Sequence, residues 1–143
     1  MTVLSKPDWL AYFRKEHGKS AFGLLGGELL EVDEESLTIS LPLDAKTQTP
    51  FGFLHGGISM FLAETAASTH ACYGIDLGKE RPVGIEISGS HLKAAESGFL
   101  ITRARLLNKT RRLLVHAAET RLQESQELLS VGRVTNYLLS IRD

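Results

Sequence analysis

Glu64 is the only formally charged side chain in residues 47–75, which read TQTPFGFLHGGISMFLAETAASTHACYGI. This apolar stretch, rich in small residues, predicts a helix over about residues 57–73. A carboxylate in such a helix is costly to bury unless another group pairs with it or uses it. Gly56 and Gly57 form a turn at the start of the helix, and their backbone N–H groups suit an electron-rich oxygen. A carboxylate about two turns further along the helix is a reactive-site arrangement.

The composition predicts a soluble, globular domain of ordinary size. With 143 residues, 43% hydrophobic residues and a net charge of -1, residues 1–143 are expected to form a single domain, with an N-terminal helix in 1–20 and a core in 21–140. A near-neutral chain lacks the basic excess of a nucleic-acid binder. The single cysteine excludes an intramolecular disulfide and a Cys-rich zinc site. Residues 1–10 lack a signal-peptide pattern, and polar residues interrupt the longest apolar region, so we expect a cytoplasmic protein without membrane association.

The remaining elements must position this helix. Ser5 and Pro7 carry the start signals of a first helix, which Gly18 can end. Residues 36–43 alternate apolar and polar side chains, as in a half-buried strand. Further strands are predicted at 21–32, 82–93, 99–107, 111–122 and 128–139. The order indicates an α+β fold, with one antiparallel sheet wrapped around a long central helix. Because such a sheet leaves an open edge, we expect the subunits to associate.

Two basic side chains end the strand predicted at 82–93. Val83, Ile85 and Ile87 share a face with His91 and Lys93, since side chains in a strand alternate with period two. The face begins apolar and ends basic. His91 and Lys93 are therefore predicted at the rim of the cleft that this face lines.

The segment PFGFLHGG at residues 50–57, followed by Ala63-Glu64, resembles the hotdog-fold acyl-CoA thioesterases. Within them it is most similar to the branch whose catalytic glutamate lies on the central helix. This branch includes one bacterial type of 4-hydroxybenzoyl-CoA thioesterase, the phenylacetate-pathway thioesterases and the 1,4-dihydroxy-2-naphthoyl-CoA thioesterases. The family often has Gln directly before Pro-Phe-Gly. Here Thr49 holds that place and Gln48 is shifted by one, which puts the role of the glutamine in doubt.

The resemblance implies a thioester hydrolase. The Gly56 N–H would polarise the thioester carbonyl, and Glu64 from the neighbouring subunit would act as nucleophile or general base. His55 would take part in the chemistry or only cap the helix, and Ser68 would hold the carboxylate or the attacking water. No metal or separate cofactor is implied, since coenzyme A belongs to the substrate. The residues expected to bind substrate are Thr49, Phe51, Gly57, Met60, Phe61, His91, Lys93, Lys109, Thr110, Arg111 and Arg112.

Several alternatives stay open. Glu64 could be a structural carboxylate, His70 and His116 structural or surface residues, and the residues 109–112 an ordinary solvated turn. A hotdog hydratase or dehydratase, or a non-catalytic acyl-CoA sensor, would share the fold. The glycine-rich HGG turn argues against the hydratase, and about 20 residues before the first strand are too few for a sensor's DNA-binding domain. We expect a homodimer or homotetramer that acts on an aromatic acyl-CoA.

Overall fold

The fold is one antiparallel sheet packed against a central helix. The computed structural model describes residues 2–141. Its six strands follow the order β1-β2-β4-β5-β6-β3, which confirms the predicted α+β architecture. No helix in this described range is long and apolar enough to cross a membrane. The elements are α1 (Lys6–His17), α2 (Ala21–Leu24), β1 (Glu28–Val32), β2 (Ser36–Leu43), α3 (Gly56–His70), β3 (Glu80–His91), β4 (Gly98–Lys109), β5 (Leu113–Leu122) and β6 (Leu128–Ser140).

The central helix α3 lies close to the sheet because its buried side chains are small. Ala63, Ala66 and Ala67 are almost completely buried in the core that α3 shares with the sheet. The sequence predicted a helix buried nearly all round, but one subunit leaves a face of α3 uncovered. Residues on that face, spaced three and four apart, are half-buried or exposed: Gly57, Phe61, Glu64 and Ser68.

The N-terminal segment folds into a tight helical corner beside α3. Ser5 caps α1 as predicted, and the indole N–H of the buried Trp9 donates to the Cys72 carbonyl at 3.2 Å. The prediction of a strand from residue 21 was wrong for Ala21–Leu24, which form α2. Gly23 explains the difference, since a side chain there would collide with the His17 carbonyl at the end of α1. The close approach that glycine permits lets α2 turn back on α1.

Strand β3 forms an edge of the sheet and is its most exposed strand. It pairs with β6 on one side, and a β-bulge lies between Gly84 and Glu86. Two of its apolar side chains, Val83 and Ile85, are 40% and 57% exposed. A long edge strand with exposed apolar side chains is a surface suited to pairing with another chain. The predicted open edge is therefore present, at β3.

A pair of buried histidines connects the end of α3 to the sheet. His70 Nε2 lies 3.1 Å from the Asp33 carbonyl, so this nitrogen carries the proton and donates. His70 Nδ1 then accepts from His116 Nε2 at 2.7 Å. Burial lowers the pKa of both rings, and burial together with the neighbouring His70 lowers the pKa of His116 to about 4. Both histidines are structural, one of the two roles expected of them.

This pair predicts a pH-dependent stability. Because the folded-state pKa of His116 lies near 4 and its ordinary value is 6.5, the unfolded chain binds more protons between these values. Stability should be full above about pH 6.5 and fall as the pH drops towards 4, with Tm decreasing by roughly 5 to 10 °C. A His116→Gln variant cannot take up the proton and should show a shallower decrease. The measurement is thermal unfolding of both proteins at several pH values.

The control for this prediction is the position of the pH window. Backbone N–H donors hold the pKa values of the Asp33 and Asp76 carboxylates below 3.8. Protonation of these carboxylates therefore destabilises the protein only below the pH window of His116. An identical decrease of Tm in wild type and His116→Gln between about pH 6.5 and pH 4 would contradict the assignment.

Candidate active site

The turn before α3 leaves hydrogen-bond donors directed outward from the helix start. His55 is the N-cap, and its Nδ1 accepts from the Gly57 N–H at 2.9 Å. The His55 carbonyl accepts from the Ile58 N–H at 2.9 Å. Within the described chain, the Gly56 N–H is left without an acceptor in this turn. Since His55 Nδ1 accepts, the neutral ring carries its proton on Nε2, which is a second donor beside Gly56.

Glu64 lies in the middle of the uncovered face of α3, with its carboxylate against β3. Its Oε1 occupies the space where a Cβ on Gly84 would stand. The absence of a side chain at Gly84, next to the β-bulge, therefore makes room for the carboxylate. Glu64 is exposed in a single subunit, which differs from the buried environment expected from the sequence.

Ser68 follows Glu64 by one helical turn, and a hydrogen bond to β6 of the sheet holds its side chain. Its hydroxyl donates to Asn136 Oδ1 at 2.9 Å. Asn136 on β6 is fully buried, and its Nδ2, like His116 Nδ1, makes no hydrogen bond to the described residues. Because the Ser68 proton is given to Asn136, the free lone pairs of Ser68 Oγ are available to accept. Asn136 was missed in the sequence, although an amide among the inward-facing Val134 and Leu138 was a signal.

A cleft of about 450 Å³ opens beside Glu64, between the helical corner and α3. This volume is typical of a small-molecule pocket. Cys72 also lines it, but burial raises the pKa of this thiol to about 12, so it is not a nucleophile near neutral pH. We call this pocket the α1–α3 cleft. Its walls include Phe13, His17 and Phe22 from the corner and Phe61, Glu64 and Ser68 from α3.

The other predicted apolar contacts lie apart from this cleft. Met60 packs on the sheet instead, next to Gly89 of β3 and Gly132 of β6. Phe51 is 86% exposed in the loop before α3. In the same loop Thr49 closes a turn, since its N–H donates to the Phe53 carbonyl at 2.7 Å.

The predicted basic residues are divided between the two ends of β3. At one end, His91 Nε2 lies 2.6 Å from the position of a Cβ on Gly56, beside the helix start. Lys93 follows and forms an exposed ion pair with Glu127. At the other end is the β4–β5 turn, where Arg112 donates to Ser140 Oγ at 3.3 Å, and Ser140 pairs with the first residue of β3. The exposed residues of this turn are Lys109, Thr110, Arg111 and Arg112.

A single subunit does not unite the two halves of the predicted site. Gly56 and Glu64 are eight residues apart on the same helix, which separates them by about 12 Å along the axis. A reacting carbonyl must lie about 3 Å from an oxyanion donor, with the attacking group equally close. The donor at Gly56 and the carboxylate of Glu64 therefore cannot serve one carbonyl within one copy of the chain.

Comparisons of the sequence and of the structure with known proteins both find thioesterases and acyl-CoA hydrolases. A family model described as Thioesterase superfamily matches residues 51–129. A 1,4-dihydroxy-2-naphthoyl-CoA hydrolase of Listeria monocytogenes is 32% identical over 111 residues, covering 78% of this chain and 89% of that protein. Crystal structures of a mutant thioesterase of Pseudomonas aeruginosa and a thioesterase of Haemophilus influenzae superimpose with TM-scores of 0.89 and 0.88, each at 30% identity. Each covers 99% of this chain, and this chain covers 100% and 95% of them.

The contact between Gly84 and Glu64 predicts the effect of adding one methyl group. In a Gly84→Ala variant the new Cβ collides with the end of a flexible side chain, so the fold is kept and the carboxylate moves to another rotamer. Tm should change by no more than about 2 °C, because alanine is not disfavoured in a strand relative to glycine. A crystal structure of the variant and its thermal unfolding measure both effects.

The matched control is Gly18→Ala, where the new Cβ meets backbone atoms only at ordinary contact distances of 3.4 Å. This variant should leave the Glu64 carboxylate in place. A Glu64 rotamer in Gly84→Ala identical to that of the wild type would contradict the positioning role given to Gly84.

Proposed function

The chain belongs to the thioesterase superfamily, and from this premise we propose that it hydrolyses an aromatic acyl-CoA to the free acid and coenzyme A. One observation carries the proposal: Glu64 lines the α1–α3 cleft, with Ser68 one turn further along the same helix. A carboxylate at the side of an apolar pocket can act on a bound acyl group as base or nucleophile. The aromatic side chains Phe13 and Phe61 in the cleft favour a flat acyl group.

The active form is proposed to be a homodimer with two sites, which can pair into a tetramer. Pairing of two β3 edges about a twofold axis joins the sheets and brings the uncovered faces of the α3 helices together. Such pairing also places the helix start of one subunit next to the middle of α3 in the other. The donor at Gly56 of one subunit then lies close to Glu64 of its partner. The 12 Å separation of these residues within one chain therefore no longer prevents them from serving one carbonyl.

In the proposed reaction, the thioester carbonyl oxygen accepts a hydrogen bond from the Gly56 N–H at the positive end of α3. A water molecule gives its proton to Glu64 while its oxygen bonds to the carbonyl carbon. The tetrahedral intermediate then breaks its C–S bond, which releases coenzyme A as a thiolate and leaves the acid. Ser68 supports this general-base route, because its free lone pairs can accept a hydrogen bond from the second O–H of the water and orient it. Direct attack by Glu64, with water cleaving the resulting anhydride, is the other route.

Coenzyme A is proposed to lie across the subunit boundary. In an antiparallel β3–β3 pair, the end of β3 that carries His91 in one subunit is beside the first residue of β3 in the other. The Arg111 and Arg112 of one subunit would then share a rim with Lys93 of its partner. Arginine side chains suit the phosphate groups of coenzyme A, because the guanidinium binds two oxygens at once.

The decisive variant for this proposal is Glu64→Gln, which keeps size and removes the proton acceptor. We expect kcat to fall by about 10²–10⁴-fold, the usual effect of losing a positioned base, with KM nearly unchanged. Tm should hold or rise, because the subunit interface then buries an amide in place of a carboxylate. Steady-state hydrolysis of aromatic acyl-CoA thioesters and thermal unfolding provide these values.

Glu31→Gln makes the same chemical change on an exposed residue of β1 and serves as the control. Its kcat should equal that of the wild type. A kcat near the wild-type value in Glu64→Gln would end the proposed mechanism, and lower stability with full activity per folded molecule would identify Glu64 as structural.

Removing the basic side chains of the rim should affect binding rather than chemistry. In the variants Arg111→Ala and Arg112→Ala we expect KM to rise several-fold with little change in kcat, since these groups contact phosphate away from the reacting carbon. Higher salt should raise the wild-type KM in the same direction. Arg105→Ala, an exposed arginine of β4, is the control. An unchanged KM in both rim variants would exclude this placement of the phosphates.

A further inference from the structure

Asn136 is a fully buried amide in a part of β6 that is otherwise apolar. Its inward-facing neighbours Val134 and Leu138 are buried, and its Nδ2 makes no hydrogen bond to the described residues. A buried donor without a partner destabilises a fold, so packing alone favours an apolar side chain at this position. The amide oxygen, in contrast, bonds to Ser68 on the wall of the α1–α3 cleft. The use of this amide therefore lies with its oxygen.

The single proton of the Ser68 hydroxyl has two acceptors nearby. Gly84 pairs with Asn136 in the sheet. Glu64 Oε1 occupies the position of a Cβ on Gly84, and Asn136 Oδ1 lies 3.8 Å from that position. Ser68 follows Glu64 by four residues in α3, so the two side chains are neighbours on one face of the helix. The amide oxygen and the carboxylate therefore compete for the Ser68 proton.

In the structure this proton goes to Asn136, with Ser68 Oγ at 2.9 Å from Asn136 Oδ1. Burial explains the choice. The amide oxygen belongs to a fully buried residue, whereas Glu64 is exposed in one subunit and can accept hydrogen bonds from water. A Ser68 hydroxyl that donated to Glu64 would leave the amide oxygen unpaired in the core.

The direction of the Ser68 proton decides how well Glu64 can act as a base. A carboxylate that accepts a hydrogen bond from a hydroxyl is stabilised in its charged form, so it takes up a proton less readily. Because the Ser68 proton is held by the amide, the lone pairs of Glu64 stay free for the attacking water. Ser68 Oγ can then accept a hydrogen bond from the second O–H of that water.

We propose that Asn136 is a positioning residue for thioester hydrolysis, which takes the Ser68 proton and thereby keeps the Glu64 carboxylate a free proton acceptor. This inference rests on the proposed function, because it takes Glu64 as the base. Asn136 does not line the cleft, so it acts through Ser68 rather than on the substrate. The proton of the water still goes to Glu64, as in the proposed reaction.

The variant Asn136→Leu tests this role, because it removes the amide oxygen and keeps a similar volume. The freed Ser68 hydroxyl should turn to Glu64, so we expect kcat to fall about tenfold with KM nearly unchanged. Protonation of the base causes the low-pH limb of the kcat/KM profile, and this limb should move to lower pH. Tm should hold or rise, since an apolar side chain replaces an unpaired buried donor. Steady-state hydrolysis of aromatic acyl-CoA thioesters at several pH values and thermal unfolding measure these effects.

The position of the limb can be assigned to Glu64 because the other titratable groups of the cleft stay in place. They are His17 and Cys72, while β3 contributes only the uncharged Pro82. His17 Nε2 lies 2.9 Å from Thr69 Oγ1, and burial lowers the pKa of this ring. Burial raises the pKa of the Cys72 thiol to about 12. Every variant retains both groups.

Ser68→Ala shows whether the effect passes through the hydroxyl. Without this hydroxyl no proton can turn to Glu64, so adding Asn136→Leu to Ser68→Ala should change neither kcat nor the limb. A purely structural role would lower kcat by the same factor in both backgrounds. Asn136→Asp keeps an oxygen that accepts from Ser68, so above the limb it should recover most of the lost kcat.

Two further measurements complete the test. Thr102→Val removes a buried hydrogen bond to Thr120 elsewhere in the sheet and should leave kcat and the limb unchanged. A crystal structure of Asn136→Leu gives a readout that does not depend on hydrolysis, since Ser68 Oγ should lie within hydrogen-bonding distance of the Glu64 carboxylate.

The outcomes separate this inference from the proposed reaction. A wild-type kcat and an unmoved limb in Asn136→Leu, together with an inactive Glu64→Gln, overturn the inference and leave the reaction standing. An equal loss of kcat with and without the Ser68 hydroxyl also overturns it. A wild-type kcat in Glu64→Gln overturns the reaction and this inference with it.

Discussion

The distance along α3 between Gly56 and Glu64 is the constraint on which the rest of the structure depends. A helix start offers unpaired N–H donors, and a carboxylate eight residues later is about 12 Å away. The two groups can serve one carbonyl only when a second copy of the chain supplies one of them. The exposed β3 edge and the uncovered face of α3 are the surfaces that such a pairing would cover.

Small and polar residues around α3 fix the positions of the helix and of the Glu64 carboxylate in different ways. The alanines that face the sheet bring the helix close to it, and the missing side chain at Gly84 leaves space for the Glu64 carboxylate. On the buried side, Asn136 and the His70–His116 pair hold the helix by directed hydrogen bonds. Buried polar groups with defined partners specify one position of the helix, where apolar packing alone permits several.

Much of the fold could be predicted, because its signals are local. The uncharged stretch around Glu64 marked the central helix, and the alternation in residues 36–43 marked a strand. The helix α2 was missed because the close approach of Gly23 to His17 is a tertiary contact with no local pattern. For the same reason the cleft partners could not be found, since His17 and Thr69 are separated by 52 residues. The uncharged stretch indicated Glu64 and the resemblance added Ser68, but neither indicated the residues that hold them.

Subunit complementation tests the shared site most directly. Gly56→Pro removes the N–H at the first helical position, where proline fits, and Gly56→Ala controls for the displacement of His91. We expect Glu64→Gln and Gly56→Pro to be inactive alone. Mixed after dissociation, they should recover about one quarter of wild-type activity, because half of the dimers would carry one intact site in two. Mixtures as inactive as the separate variants would contradict a site built from two subunits.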